Sequence, residues 1–213
     1  MPSSREARDK SETYHHGNLR RALLEAARAI LAGEGLDALS LRAVARRAGV
    51  SHAAPYHHFP DKESLLAAVA EQGFRELNER LLAGAADESD TERRLAAFGD
   101  AYLRFASEHP ALFRLMLGPR FGERNRHPDV TATAEVGYNL LLDTARAWSS
   151  ETGGGREHER TVAAAFWCLV HGLAELLIDG KINAALDPVP GSELMRASEI
   201  LSVLSRRGVP PRD

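Results

Sequence analysis

Residues 39–66, LSLRAVARRAGVSHAAPYHHFPDKESLL, carry the most informative chemistry in this sequence. Two short helices joined by a tight turn need small residues where their backbones approach, and Ala45 lies four residues before Gly49. Ser51 follows the turn and can cap a second short helix. The N–H groups and side chains at the exposed start of that helix can face phosphates or base edges in a major groove. The segment therefore predicts a helix-turn-helix that binds DNA.

The charge distribution agrees with a nucleic-acid-binding module at the N-terminus. Residues 1–62 contain ten Lys and Arg against seven Asp and Glu, whereas the remainder contains seventeen against twenty-three. The whole chain has a net charge of −3 and a pI of about 6.3. A basic end on an acidic body is typical of a small DNA-binding module joined to a domain with another task. On charge alone, a chance asymmetry between two solvated surfaces remains the alternative.

Other reactive side chains predict no further chemistry. His15, His16, His57 and His58 could suggest a metal site, but no Cys or spaced carboxylate joins them at a usual ligand spacing, so we expect no metal and no cofactor. The sequence has no paired Glu-x-x-His motifs, no phosphate loop and no recognisable pair of nucleophile and base. We therefore expect a protein that is not an enzyme, and an enzymatic helical bundle is a remote alternative.

Helical periodicity runs through almost the whole chain and predicts an all-α fold. An apolar stripe predicts a first helix over residues 17–31, which Gly33 and Gly35 end. Ser40 and Gly49 bound a helix at 41–48, Ser51 begins one that reaches about residue 58, and Asp61 caps one that reaches about residue 83. Further helices are predicted at 91–108, 110–117, 129–149, 157–179 and 192–206.

These elements predict two domains. We expect a disordered arm at 1–13, a helix-turn-helix domain at 14–66, a larger helical domain at 67–207 and a disordered tail at 208–213. The polar first residues are not a signal peptide, and the apolar run at 162–178 is interrupted by His171 and Glu175 and is too short to span a bilayer. The single cysteine, Cys168, excludes a disulfide within the chain. We expect a cytoplasmic protein with no membrane partner.

The helix-turn-helix domain at 14–66, called the head below, resembles the TetR family of repressors from the helix at 17–31 to the start of the fourth helix. The resemblance rests on an ordered pattern with fixed spacing, namely Leu41, Val44, Ala45, Ala48, Gly49, Val50, Ser51, Tyr56, His58, Phe59, Lys62 and Leu65. Upstream, the entry to the first helix is similar to that of one branch of the family, through Tyr14, His15, His16, Gly17, Asn18, Leu19 and Arg20. The same branch carries a Trp-x-x-x-His-Gly pattern in its C-terminal domain, which Trp167, His171 and Gly172 match.

The resemblance implies a role for each matching position. Ser40 and Arg42 would contact backbone phosphates, and Lys62 would add a phosphate contact from a helix N-terminus. Tyr56 and His57 would meet phosphates or groove edges. Four residues would lie toward the bases, namely Ser51, His52, Ala53 and Ala54. Val50 and Phe59 would belong to the core.

Pro55 departs from the family pattern, in which an aliphatic residue or another helix former is usual. Proline removes about one helical hydrogen bond and is tolerated near a helix start. It can change the angle or rigidity of the recognition helix. Because Ala53 and Ala54 offer no side-chain donors, base reading would depend on His52, on Tyr56 and on DNA shape.

The resemblance implies that the region from about residue 70 onward senses a ligand and dimerises. Helices that face a common interior supply candidate ligand contacts, namely Phe98, Tyr102, Phe105, Phe113, Met116, Tyr138, Leu141, Trp167 and His171. A filled core is the competing interpretation for each of them. Trp167 and His171 share a helix face, and His171 is either a polar anchor in a pocket or a histidine satisfied by its neighbours. Cys168 lies in an apolar helix, which disfavours a redox sensor.

The last two long helices, at 157–179 and 192–206, would form a four-helix interface with a second copy. A helix-turn-helix generally needs two-fold symmetry to read two half-sites, so we expect a homodimer on a palindromic double-stranded operator. The leading hypothesis is a repressor that an unknown small-molecule effector releases from DNA. The alternative is a constitutive regulator, or one controlled by a protein partner, without a small ligand.

Overall fold

The computed structural model describes residues 4–86, 88, 90–119, 127–151 and 155–182. These residues form α-helices and turns and no strands, so the predicted all-α class is confirmed for them. Within the described ranges seven α-helices follow one another, namely α1 Ser4–Glu34, α2 Leu41–Ala48, α3 Lys62–Ala85, α4 Thr91–Glu108, α5 Pro110–Leu117, α6 Pro128–Glu151 and α7 Arg156–Ile178. The helix predicted at 192–206 and the tail at 208–213 lie outside the described residues.

The first helix is longer than predicted. It begins at Ser4 and continues to Glu34, through most of the stretch for which we expected a disordered arm. Between Ser4 and His16 the sequence has no proline or glycine, and six of these thirteen residues, namely two Glu, two Arg, one Ala and one Lys, favour helix. The single Gly17 does not interrupt the helix.

Local capping interactions determine where the helices of the head begin and end. The Ser40 side chain accepts a hydrogen bond of 3.1 Å from the backbone N–H of Ala43 and caps α2. Gly49 ends α2 in the left-handed conformation, with φ 69° and ψ 29°. The Asp61 carboxylate accepts a hydrogen bond of 2.7 Å from the N–H of Ser64 and caps α3. These caps confirm the predicted bounds of α2 and the predicted start of α3.

The long helix α3 connects the head to the rest of the chain. It begins directly after the recognition segment, defined here as residues 51–59, and packs against α1, α4, α5 and α6. Gly73 permits the approach of α5, because a Cβ at this position would overlap the sulfur of Met116. One buried cluster of apolar side chains continues from α1 and α2 through α3 into α4–α7. Movements in the helical part of the chain after residue 66, called the body below, can therefore reach the head through packed side chains.

Helix α7 is unusually apolar for its degree of burial. The most apolar window of its stretch His158–Ile178 has a mean hydropathy of 1.8, but only 33% of that window is buried inside the protein. By length and composition alone such a helix could cross a membrane, although a single case is weak evidence. Trp167 and Leu176 remain 42% and 46% exposed. The helix thus presents an apolar outer face that packing within the described residues leaves uncovered.

Candidate DNA-binding surface and effector cluster

The recognition segment is a 3-10 helix rather than the predicted α-helix. A turn at residues 52–53 leads into the 3-10 helix Ala54–His57, and Ala53 precedes it without a side-chain cap. The expectation that the Ser51 side chain caps an α-helix is therefore wrong. Pro55 supplies the reason, because it has no N–H to bond the Ser51 carbonyl. The N–H of Ala54 takes that carbonyl instead, at 3.0 Å, and Tyr56 N–H bonds the Ala53 carbonyl at 3.2 Å.

The recognition segment divides its side chains between the core and the surface. Pro55 and Phe59 are buried, and Ala54 and His58 are half-buried. The backbone N–H groups of His58 and Phe59 both bond the Pro55 carbonyl, at 3.0 and 2.8 Å. The remaining five residues are exposed, namely Ser51, His52, Ala53, Tyr56 and His57. The segment is thus an anchored turn with an exposed outer surface.

The predicted phosphate contacts lie at the two helix starts that flank this segment. Ser40 and Arg42 are exposed at the start of α2. Lys62 opens α3, half-buried, and its Nζ donates to the carbonyl oxygen of Leu36 at 3.2 Å. Lys62 therefore ties the loop before α2 to the start of α3 and keeps its positive charge next to the recognition segment.

The electrostatics of this surface favour an anion. Between Asp37 and Asp61 the sequence has three arginines, three histidines and no acidic residue. Asp61 is tied to its cap, since the backbone N–H and side chain of Ser64 hold its pKa below the ordinary value. The outward-facing residues 40–57 therefore present positive charge and N–H donors to solvent, as a phosphate backbone requires.

Four of the predicted ligand contacts form one cluster between α4, α5 and α7. The hydroxyl of Tyr102 lies 3.1 Å from Nδ1 of His171. The imidazole of His171 stacks on Phe113, at 5.6 Å between ring centroids, and on Trp167, at 5.9 Å. Tyr102 meets Phe113 edge to face at 5.3 Å. The cluster thus surrounds a half-buried histidine with three aromatic rings.

Burial is the main influence on the pKa of the Tyr102 hydroxyl in this cluster. Burial raises the pKa of Tyr102 well above its ordinary value, the nearby charge of Glu175 acts in the same direction, and a hydrogen bond from the Trp167 side chain opposes them. Because an indole N–H can only donate, the Tyr102 oxygen accepts from Trp167 and its own proton can be donated to His171. When the hydroxyl donates to Nδ1 of His171, the imidazole presents an Nε2–H donor.

The other predicted ligand contacts lie outside this cluster. Phe98 packs on Phe166, with centroids 6.4 Å apart. Phe105 contacts the ring of His109 at 5.2 Å and lies under the guanidinium of Arg80. Met116 and Leu141 are buried in the core, and Tyr138 is 40% exposed on α6. The sequence predicted one ligand-lining set, whereas packing brings only four of its nine members together.

Cys168 lies next to the cluster but points outward. It is exposed on α7, although the apolar character of this helix suggested a shielded position. Gly172 is also exposed, and a Cβ there would have no neighbour within 4 Å among the described residues. Cys168 is therefore not part of the candidate cluster.

Ion-pair contacts at two places among the described residues link the head to the body. Arg28 on α1 and Glu76 on α3 form an ion pair of 2.7 Å, and Glu76 also contacts Arg80 at 2.9 Å and His109, between α4 and α5, at 3.2 Å. At the first turn of α3, Glu63 lies 3.5 Å from His127, directly before α6. A change at the α4–α5 junction or at the start of α6 can therefore reach the helices that hold the recognition segment.

Both halves of the chain match family models. The model described as "Bacterial regulatory proteins, tetR family" matches residues 23–69, which include α2, the recognition segment and the start of α3. The model described as "Tetracyclin repressor-like, C-terminal domain" matches residues 95–197. The C-terminal branch suggested by Trp167, His171 and Gly172 stays a prediction.

Curated relatives include proteins called nucleoid occlusion factor SlmA. The protein from Aliivibrio fischeri strain MJ11 is 36% identical over 106 residues, which is 47% of this chain and 52% of the relative. The protein from Edwardsiella ictaluri is 33% identical over 150 residues, which is 69% of this chain and 76% of the relative. The matched region thus spans about half the length of the first relative and three quarters of the second.

Solved structures share the fold over most of the chain. A protein of unknown function from Rhodococcus sp. RHA1 has a TM-score of 0.72 at 35% identity, covering 89% of this chain and 96% of that one. A TetR family transcription regulator from Marinobacter aquaeolei VT8 has a TM-score of 0.64 at 20% identity, covering 90% and 97%. The second likeness shows the fold alone.

Proposed function

Because this chain belongs to the tetR family of bacterial regulatory proteins, whose members are DNA-binding regulators, we propose that it is a cytoplasmic homodimeric repressor. In this proposal the dimer binds a palindromic DNA operator and is released from it by a small-molecule effector. The same proposal keeps the nine predicted DNA contacts between Ser40 and Lys62 and assigns no catalytic step to the chain.

The observation that carries this proposal is the construction of the recognition segment. The Ser40 and Asp61 caps, the left-handed Gly49 and the buried pair Pro55 and Phe59 hold residues 51–57 as a fixed outward-facing turn. A rigid surface without acidic side chains loses little conformational entropy on entering a groove. Positive charge at the flanking helix starts supplies phosphate contacts that orient it.

The uncovered outer face of α7 supports the homodimer. Its apolar residues include Ala164, Ala165, Trp167, Cys168 and Leu176, all exposed. A two-fold contact through this face would bury them against the same helix of a second copy. Two heads held by one such interface would present two recognition segments to a palindrome.

The Tyr102–His171 cluster supports the effector step. It combines three aromatic rings with two polar groups, which is the composition of small-molecule sites. It also lies on α4, α5 and α7, so an effector there would alter the packing of the helices that contact α3. The Arg28–Glu76 pair then gives this change a route to α1.

Operator binding can be tested by selecting DNA from a random pool of duplexes of about 30 base pairs, long enough for two half-sites about one helical turn apart. We expect the wild-type chain to enrich a palindromic sequence, and we expect His52→Ala, Tyr56→Ala and Lys62→Ala each to weaken binding measured by fluorescence anisotropy. Tyr138→Ala is the matched control, because Tyr138 is exposed on α6 and outside the head. Failure to enrich any sequence, or unchanged binding of the enriched duplex in all three variants, would refute the repressor.

The effector step needs a separate test. A thermal-shift screen of chemically diverse small molecules should yield compounds that raise the unfolding temperature of the wild-type chain and release the selected duplex. Tyr102→Phe and His171→Ala should lose this response while still binding DNA. A screen in which no compound both stabilises the protein and releases DNA would favour the regulator without a small ligand.

The dimer can be tested at the outer face of α7. Sedimentation should give twice the chain mass for the wild type and a shift toward monomer for Leu176→Glu. Leu82→Glu is the matched control, because Leu82 is 50% exposed on α3 and outside this face. Equal behaviour of the two variants would argue against α7 as the interface.

The curated relatives favour a second candidate function. Their name, nucleoid occlusion factor, refers to a role at the nucleoid rather than to a small ligand. A DNA-binding regulator that is constitutive or controlled by a protein partner fits that name. This candidate predicts that the chain binds its operator and that no small molecule releases it.

A further inference from the structure

Two pairs of adjacent arginines in the head differ in how their charges are used. In the first pair, Arg21 lies 3.6 Å from Glu25 and also bonds Asn18, whereas Arg20 is exposed. In the second pair, Arg47 lies 3.4 Å from Glu34, whereas Arg46 is exposed. Within the described ranges, neither Arg20 nor Arg46 takes part in an ion pair. Each pair therefore has one guanidinium beside a carboxylate and one that is available to an external anion.

Arg20 is held beside the recognition segment. Its guanidinium carbon lies 5.6 Å from the ring centroid of Phe59, in a cation–π geometry. Phe59 is 2% exposed and is fixed by its backbone bond to Pro55. The stacking restricts the long Arg20 side chain before any ligand binds, so less side-chain entropy is lost when its N–H groups meet an anion.

Arg46 extends the exposed face of α2 that begins at Arg42. Successive residues of a helix are about 100° apart, so Arg42 and Arg46 lie about 40° apart around α2, and Arg47 lies about 100° further, toward α1. Leu41, Val44 and Ala45 are buried on the opposite side. Arg46 is also in the last turn of α2, directly before Gly49 and the recognition segment. The positive charge of Arg46 therefore lies near the recognition segment.

We propose that Arg20 and Arg46 are two further phosphate-binding residues, which contact the DNA backbone beside the groove that the recognition segment enters. Arg20 is exposed and stacks on Phe59 of the recognition segment. Arg46 is exposed on α2, which packs against the same segment. Both guanidinium groups are therefore held next to the outward-facing turn, where the phosphates that border a groove come within reach.

The ligand chemistry follows from the groups themselves. A guanidinium donates two parallel hydrogen bonds to a phosphate and remains charged at every physiological pH. Such contacts carry no sequence information but release condensed counterions, so they appear in the salt dependence of binding. The inference rests on the DNA binding proposed above and adds α1 to the contact surface.

The test is a salt titration of binding to the duplex selected by the wild-type chain. Anisotropy measured from about 50 to about 200 mM salt gives the slope of log K against log salt, to which each neutralised phosphate contributes about −0.9. Arg20→Ala and Arg46→Ala should each make the slope less steep by that amount for every phosphate left without its arginine, a change of about 1.8 for a dimer bound through both heads. Over this salt range one such phosphate accounts for roughly a 3.5-fold change in affinity.

The adjacent ion-paired arginines, Arg21 and Arg47, are the matched controls. Arg21→Ala and Arg47→Ala remove equal charge from adjacent positions and should leave the slope close to the wild-type value. Arg20→Lys and Arg46→Lys should retain the slope, which separates charge from packing against Phe59. Wild-type slopes for both Arg20→Ala and Arg46→Ala, or equal reductions in the Arg21 and Arg47 variants, would overturn the inference. A wild-type chain that selects no duplex would instead refute the proposed function.

Discussion

The hydroxyl of Tyr102 on α4 and Nδ1 of His171 on α7 are hydrogen-bonded at 3.1 Å, and this contact joins two distant parts of the chain. Tyr102 is only 4% exposed, while His171 is half-buried against the rings of Phe113 and Trp167. A buried phenol that ionises would lose this donor and place a negative charge in the core. The pair therefore determines how the stability of the fold depends on alkaline pH.

We expect the free energy of unfolding to fall as the pH rises above about 10, the ordinary pKa of tyrosine. Burial raises the pKa of Tyr102 in the folded chain, so the unfolded chain releases this proton first. The stabilisation is complete below the unfolded pKa and is lost as the pH rises toward the folded pKa, at about 1.4 kcal/mol per pH unit. Urea unfolding between about pH 9 and pH 11 measures this slope.

Tyr102→Phe should flatten that alkaline dependence. Tyr56→Phe is the control, because Tyr56 is 53% exposed and should leave the slope close to that of the wild type. Identical slopes in the wild type and in Tyr102→Phe would show that the buried phenol does not govern alkaline stability.

We expect Glu76→Gln to destabilise the fold at neutral pH. Desolvation raises the pKa of Glu76, but the hydrogen bond and charge of Arg28, with the charges of His109 and Arg80, outweigh it and lower the pKa overall. The stabilisation is therefore present above the ordinary pKa of 4.5 and is lost as the pH falls below it. Because Glu76 and Arg28 are 27% and 31% exposed, we expect a loss of about 1–2 kcal/mol, between exposed and fully buried pairs.

Urea unfolding of Glu76→Gln at neutral and acidic pH checks this loss. The difference from the wild type should shrink toward low pH, where the wild-type carboxylate becomes protonated. Glu25→Gln is the control, since its pair with Arg21 is 71% exposed at Glu25 and should contribute little. A pH-independent difference at Glu76 would indicate a packing effect instead.

Gly49→Ala should destabilise the head by about 1–2 kcal/mol, because a side chain in the left-handed region carries a steric cost. Gly49 has φ 69° at the end of α2, and its position sets the entry into the recognition segment. Gly33→Ala is the control, since a Cβ there meets no atom within 4 Å and alanine favours helix. Thermal unfolding should show a lower midpoint for Gly49→Ala only.

Gly137→Ala should lower stability by about 1–3 kcal/mol through overpacking. A Cβ at Gly137 would lie 2.6 Å from Oδ1 of Asn78, whose Nδ2 donates to the Thr133 carbonyl at 2.8 Å. The two sites are therefore coupled across α3 and α6. In a double-mutant cycle, Gly137→Ala should cost much less in an Asn78→Ala background, and additive losses would contradict this contact.

Much of the head could be predicted from the sequence because local chemistry determines it. Ser40 caps α2 and Asp61 caps α3, each through an amide three residues away, so neither cap depends on distant packing. Gly49 ends α2 for a similarly local reason. The start of α1 is not predicted correctly, because a polar, charged stretch is typical of a disordered arm although several of its residues favour helix.

In the recognition segment, the sequence predicts only part of the structural role of Pro55. Pro55 indicated one missing hydrogen bond, but the sequence did not reveal that its carbonyl would accept from both His58 and Phe59. That second role depends on the burial of Pro55 and Phe59 against the rest of the head. Tertiary packing thus converts a tolerated proline into the anchor of a 3-10 helix.

The helical class, the caps of the head and the DNA-binding motif can be predicted from the sequence, since these depend on residues three or four positions apart. Packing of distant helices brings Tyr102 and His171 together across 69 positions, places Phe98 and Phe105 in other contacts, and leaves Trp167 and Cys168 exposed. Apolar periodicity identifies a buried face of a helix but does not name its partner. The partner depends on how α4, α5 and α7 pack together, which involves contacts that no short stretch of sequence contains.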